Sequence, residues 1–279
     1  QYTQYRSGSG YTQTLEAAQA GDSVGGPRPI QSWQQTHDVN GTDLNDPEHW
    51  EKNAKFQPIA GAVIHSTNES SYDMVLYNWF GGRYDGQSYY IKNIRVDSYC
   101  YNVGVFGTTA GADIRNIVLY SDNSSVVRRS TKPSSWDYQT TSQVNRNGLP
   151  PVEEYQCAYA LGGLVGIAYD YAETQGTSTI ENCAIAGYTI DDSSKNNLGL
   201  GEAAVGGMIG VSNVNLNRCS AVTNIKINCT HRWKADESLC SALYGNFIRV
   251  GGLVGGLRYQ TTNCYTGGKI TVSSETLRE

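Results

Sequence analysis

The sequence predicts an all-β chain wound as a parallel β-solenoid, and three observations carry that expectation. The first is the residue profile: 279 residues include 31 Gly and 20 Tyr but only 2 Met and 4 Phe. Good helix formers cluster almost nowhere except TLEAAQA (14–20), which ends at Gly21. Such a profile suits many short strands joined by Gly, Asn and Ser turns. The second is a Gly-rich apolar segment that recurs as NVGVFG (102–107), LGGLVG (161–166), VGGMIG (205–210) and VGGLVG (250–255). The third is a second element after each: IRNIVL (114–119), IENCAI (180–185), LNRCSA (216–221) and TTNCYT (261–266).

The spacing between the two elements is nearly constant. It is 13 residues from Gly104 to Ile117 and 12 from both Gly207 to Cys219 and Gly252 to Cys264. Only Gly163 to Cys183 is longer, at 20, because AYDYAETQG (168–176) is inserted. IKNIRV (91–96) reads as an earlier copy of the second element.

Aligned, these elements form columns with physical meanings. One column is Ile94, Ile117, Cys183, Cys219 and Cys264, where a small apolar side chain points into a core. Two residues on come Val96, Leu119, Ile185, Ala221 and Thr266, the alternation of a strand with one buried face. One residue before the first column come Asn93, Asn116, Asn182, Arg218 and Asn263. Asn tolerates left-handed backbone geometry, and stacked Asn side chains bond from one rung to the next. Arg218 should interrupt that ladder. The unit is roughly 22–25 residues without insertions, too short for a helical crossover but fitting one rung of a solenoid. Extra residues then leave as loops near 124–157, 168–176, 191–203 and 229–247. The Gly-rich segments are close-packed strands or corners.

Charge narrows the partners. With 21 basic against 26 acidic side chains, nothing points to nucleic acid or an anionic membrane surface. No apolar run approaches the ~18–20 residues of a membrane span. The chain begins at Gln1 rather than Met, as an exported chain does once its leader is cut.

With these motifs in view, the chain resembles bacterial proteins carrying the GLUG motif. VGGLVG with TTNCYTGGKITV (250–272) and VGGMIG with LNRCSAVTNIKI (205–227) carry the likeness most closely. FQPIAG (56–61) and FGGRYDGQSYYIKNIRV (80–96) are similar to the lead-in found beside such repeats, and TDLND (42–46) to the strand that opens it. The resemblance covers roughly residues 42–274 and implies a right-handed β-helix in surface or secreted proteins, often adhesins. It implies no catalytic residue.

The remaining cysteines lie in or beside the expected loops. An exported chain meets oxidising surroundings, so Cys229–Cys240 and Cys100–Cys157 are candidate disulfides, whereas the stacked Cys183, Cys219 and Cys264 are expected as buried thiols. The sequence contains no H-E-x-x-H, G-x-S-x-G or Walker loop. Its adjacent acids fall in predicted loops and form no column, which argues against the paired carboxylates of a glycan-cleaving enzyme. Asp85 and Gly86 read as a turn. Asp38, Asp43 and Asp46 gather oxygen donors and offer a weak calcium site, although the Gly is misplaced for an EF-hand. Tyr155, Tyr159, Tyr169 and Tyr171 are candidate ligand-contact aromatics, set against the reading that such residues pack on the solenoid flank.

The expectation is therefore an all-β, right-handed parallel β-helix with loop insertions. It has an N-terminal extension at 1–55, the solenoid at 56–274 and a tail at 275–279. Function is expected to be a non-enzymatic extracellular or cell-surface module for adhesion or structure, with no cofactor. Its partners would be copies of itself or host and cell-surface glycans or proteins. The alternatives are a filament subunit joined head to tail through its N-terminal segment, and a polysaccharide-cleaving β-helix. In the filament reading, Ile270 and Val272 lie on the exposed last rung.

Overall fold

The computed structural model describes residues 32–41, 58–60, 63–64, 75–76, 80–98, 102–129, 157–170, 178–193, 202–228 and 248–273. About two thirds of these residues are in strands. All strand pairs are parallel except Val63–Ile64 with Val75–Leu76.

Four parallel sheets are built by repeated passes of the chain. Sheet one holds Asn102–Val103, Cys157–Gly162, Glu202–Gly206 and Ile248–Gly251. Sheet two holds Phe106–Ala110, Val165–Tyr169, Ile209–Asn213 and Val254–Leu257. Sheet three starts earlier, running through Ser32–Gln34, Arg83–Asp85, Asp113–Arg115, Thr179–Glu181, Asn215–Asn217 and Thr261–Thr262. Sheet four begins with Val39–Asn40, Tyr90–Lys92 and Val118–Tyr120 and ends with the long strands Ala184–Asp192, Ser220–Asn228 and Tyr265–Ser273. Of two shorter strands, Val126–Arg129 pairs along the second half of Ala184–Asp192 and Val96–Ser98 pairs with Val126–Arg129 in turn; one of the sheets curls into a half-barrel. From residue 102 onward the chain visits the sheets in the order one, two, three, four, and then repeats.

The side-chain period of two explains why these segments are strands. In Ser220–Asn228, Ala221, Thr223, Ile225 and Ile227 are buried while Val222, Asn224 and Lys226 are exposed. Each pass stacks its inward residues on those of the last. Val103, Leu161 and Val205 form one fully buried column, and Ile114, Ile180 and Leu216 another. One continuous apolar cluster results, and a smaller one gathers Ala110, Ala160, Ile167, Tyr169, Ala204 and Val211.

The glycines of the repeat are required by close approach of backbone. A Cβ on Gly166 would stand 2.6 Å from the Gly107 carbonyl and 2.7 Å from the Val103 nitrogen. On Gly210 it would meet the Gly166 carbonyl at 2.6 Å and the Leu161 nitrogen at 2.7 Å. Sheet two is thus folded tightly onto sheet one of the previous pass, and only a residue without Cβ fits.

Three expectations need correction. Asn93 and Ile94 do not belong to the Asn116 and Ile117 columns: Leu119 pairs with Ile91, and Val127 pairs with Val96. The motif is one corner out. At the corner Asn116 occupies, that pass has the longer turn 86–89, with Gln87 and Ser88 left-handed and Tyr89 N–H bonded to Gly86 at 2.9 Å. Second, sheets three and four open with strands at 32–34 and 39–40, inside the segment expected as an extension. Third, the loops expected near 124–157, 168–176 and 191–203 include described strand: Val126–Arg129, the end of Val165–Tyr169, the end of Ala184–Asp192 and the start of Glu202–Gly206.

Candidate interaction surfaces

From residue 113 onward the corner between sheets three and four is fixed by one left-handed residue per pass. Asn116, Asn182, Arg218 and Asn263 have φ of 54°, 52°, 53° and 55°. The Asn182 amide donates to Asn116 Oδ1 at 2.7 Å, and the Asn116 amide donates to Asp85 Oδ1 at 2.8 Å. Burial alone would raise the Asp85 carboxyl. Hydrogen bonds from Asn116 and Gln87 and the charge of Arg115 outweigh that and hold it below its usual value. Arg218 keeps the backbone geometry but turns its guanidinium to Glu181 Oε1 at 2.7 Å, so the ladder stops there. Asn93 is also left-handed, at φ 53°, and its Oδ1 accepts the Asp122 N–H at 3.2 Å, at its own corner.

Behind the asparagines stand the thiols. Cys183 and Cys219 are buried, Cys264 is half-buried, and all three are free. Burial pushes the Cys183 thiol well up, away from reactivity. Of the candidate disulfide residues, Cys100, Cys229 and Cys240 lie outside the described residues. Cys157 is placed only as backbone, pairing with Glu202 at the start of its strand.

Charged groups in the body pair across strands. Asp97, wholly buried, lies 2.6 Å from Arg128 and 3.5 Å from Arg95. Asp113 faces Arg83 and Arg115. Asp38 Oδ1 accepts the Tyr90 N–H at 2.8 Å and its other oxygen stands 3.5 Å from Lys92, which engages the first of the three suggested calcium donors. Asp43 and Asp46 lie outside the described residues. Among those described, no cluster of three His, Cys, Asp or Glu side chains is arranged to hold a metal, and no helix is long and apolar enough to cross a membrane.

The aromatic prediction is partly overturned. Tyr169 is 8% exposed and packs in the smaller apolar cluster, so it is core and not a contact surface. Tyr159 is placed only as backbone, and Tyr155 and Tyr171 lie outside the described residues. Sequence reading did not single out Tyr120, which joins Tyr90 in a pair on the outer face of sheet four. Tyr90 and Tyr120 are exposed edge to face with centroids 6.2 Å apart, and Lys92 Nζ lies 4.9 Å from the Tyr90 ring. The registers Val118↔Tyr90 and Tyr120↔Lys92 place them diagonally on adjacent strands.

The second surface is the end of the stack. Within the described residues the strands of 248–273 pair only with the pass before them. Ile225 and Ile227 are 1% exposed, whereas their register partners Ile270 and Val272 are 47% and 58% exposed. Val250, Leu253, Val254 and Cys264 likewise pack on the core from one side, in the columns of the buried Val205, Met208, Ile209 and Cys219. The last pass is finished on one face and open on the other.

No family model matches the chain, and neither a curated protein nor a solved structure matches it.

Proposed function

We propose that the chain is a right-handed parallel β-helix of the GLUG-motif kind that serves outside the cell, or on its surface, as a non-enzymatic adhesion or structural module. Handedness follows from the general rule that crossovers between parallel strands of one sheet are right-handed in about 98% of cases. Support for the family reading comes from the residues that carry the resemblance. Gly166, Gly210, Asn182 and Cys219 stand at corners and in columns, where a stacked chain needs small, left-handed or compact apolar groups.

The observation that carries the binding role is the exposed Tyr90–Tyr120 pair with Lys92 beside it. Two aromatic faces with polar tips and a neighbouring cation suit stacking on sugar rings or a protein surface. The described acids Asp97, Asp113 and Glu181 are engaged with arginines across or along the strands, a structural use of carboxylates. Further specificity sits in the segments between strands.

The test is a glycan microarray probed with the full chain and with the Tyr90→Ala, Tyr120→Ala double variant. Retained glycans that the double variant loses at least tenfold, with an unchanged far-ultraviolet spectrum, support the reading. Equal binding by both proteins removes the pair from the role, and product release from a polysaccharide by the wild type would replace adhesion with catalysis.

A further inference from the structure

We propose that the open face of residues 248–273 is a docking site for a second copy of this chain, which adds its first described strands as the next rung. The inference rests on the β-helix reading above. Geometry selects the partner. Sheets three and four both begin with the strands at 32–34 and 39–40 and both end with those at 261–262 and 265–273. A copy placed head to tail continues sheets three and four with strands running in the same direction, and the registers of the stack set its Trp33 in the column of Thr261 and its Val39 in the column of Thr266. The exposed edge has the spacing and course of this chain's own rungs, because Ile270 and Val272 repeat the positions of Ile225 and Ile227.

Charge is compatible with this contact: residues 248–273 carry Arg249, Arg258 and Lys269 and no acid, whereas the described residues 32–41 carry Asp38 and neither Lys nor Arg. A head-to-tail contact does not close on itself unless rotation brings it round, so the product is an open filament or a ring. Six rungs in sheet three, at about 4.8 Å each, give roughly 29 Å of length per subunit.

Sedimentation velocity of the full chain between about 1 and 100 µM, a range bracketing moderate association, tests this. Wild type is expected to grow into larger species as concentration rises. Thr261→Lys and Thr266→Lys, which place a charge opposite Trp33 and Val39 of the incoming copy, should remain monomeric at tenfold higher concentration. Thr271→Lys, on the opposite side of the strand that holds Thr266, should associate as wild type. A wild type that stays monomeric throughout, or a Thr266→Lys protein that associates normally, overturns the proposal. Circular dichroism separates the two levels. A monomeric wild type with a cooperative β melt removes the stacking alone, and one without a β spectrum removes the module reading as well.

Discussion

The Asn182 amide donates to the Asn116 side-chain oxygen at 2.7 Å, and both residues hold a left-handed backbone. Two needs of the corner are met by one residue type. Asn enters the left-handed region at low cost, and its amide passes a hydrogen bond to the rung below. Arg218 meets neither need well. Its ion pair with Glu181 is exposed and adds little. Arg218→Asn is expected to stabilise the chain by about 0.5–1 kcal/mol, whereas Asn182→Ala should cost about 1–2 kcal/mol, both read by denaturant unfolding.

Glycine positions should differ sharply in tolerance. Gly210→Ala drives a methyl into the Gly166 carbonyl and the Leu161 nitrogen, and a loss of about 2–3 kcal/mol is expected. A Cβ on Gly267 would meet only the Val222 methyls at 3.9 Å, so Gly267→Ala should change stability by less than about 0.5 kcal/mol. Paired thermal melts read the contrast.

Asp97 is a buried charge whose nearest cation is Arg128 at 2.6 Å. The hydrogen bond to Asp97 is also the main reason the Arg128 guanidinium holds its proton more firmly than usual. Arg128→Met removes that close ion pair while Arg95 stays at 3.5 Å, and a loss of about 2–3 kcal/mol is expected. Adding Asp97→Asn to that variant should recover part of it. A double-mutant cycle with no coupling would contradict the pairing.

Acid should weaken the corner at Asp85. Its carboxyl is held below its usual value in the folded chain, so its stabilising contribution is full above the unfolded pKa near ~3.9. The contribution is lost as pH falls through the lower folded value. Wild type minus Asp85→Asn stability is therefore expected to be constant above about pH 5 and to shrink below pH 4. A difference that grows on acidification would have the wrong sign.

Much of this architecture was legible because stacking demands the same residue at the same corner. The 12-residue spacing of Gly207 to Cys219 and Gly252 to Cys264 was enough to align the last two passes. Asn93 and Ile94 were misread for the same physical reason: any corner that needs a left-handed residue selects Asn, so the motif does not say which corner it occupies. Register alone separates them, through the pairing of Leu119 with Ile91. Pass length misled too, since equivalent corner residues lie 66, 36 and 45 positions apart. Tyr169 looked like a surface aromatic beside Tyr171, but it ends a strand and packs with Ile167 and Val211 in the smaller buried cluster. The Tyr90–Tyr120 pair requires two strands in register, which composition cannot supply.

The most direct measurement is the alkylation rate of Cys264 by iodoacetamide at mildly alkaline pH, followed by peptide mass spectrometry over a range of protein concentrations. Cys264 sits half-buried on the open face, with a thiol that burial pushes up, while Cys219 and Cys183 lie one and two passes inside. Slow labelling of Cys264 in dilute protein, suppressed as concentration rises and restored by Thr266→Lys, is the expected result, with Cys183 and Cys219 silent until unfolding. A Cys264 rate independent of concentration would contradict docking at that face, and native labelling of Cys183 or Cys219 would contradict the stack itself.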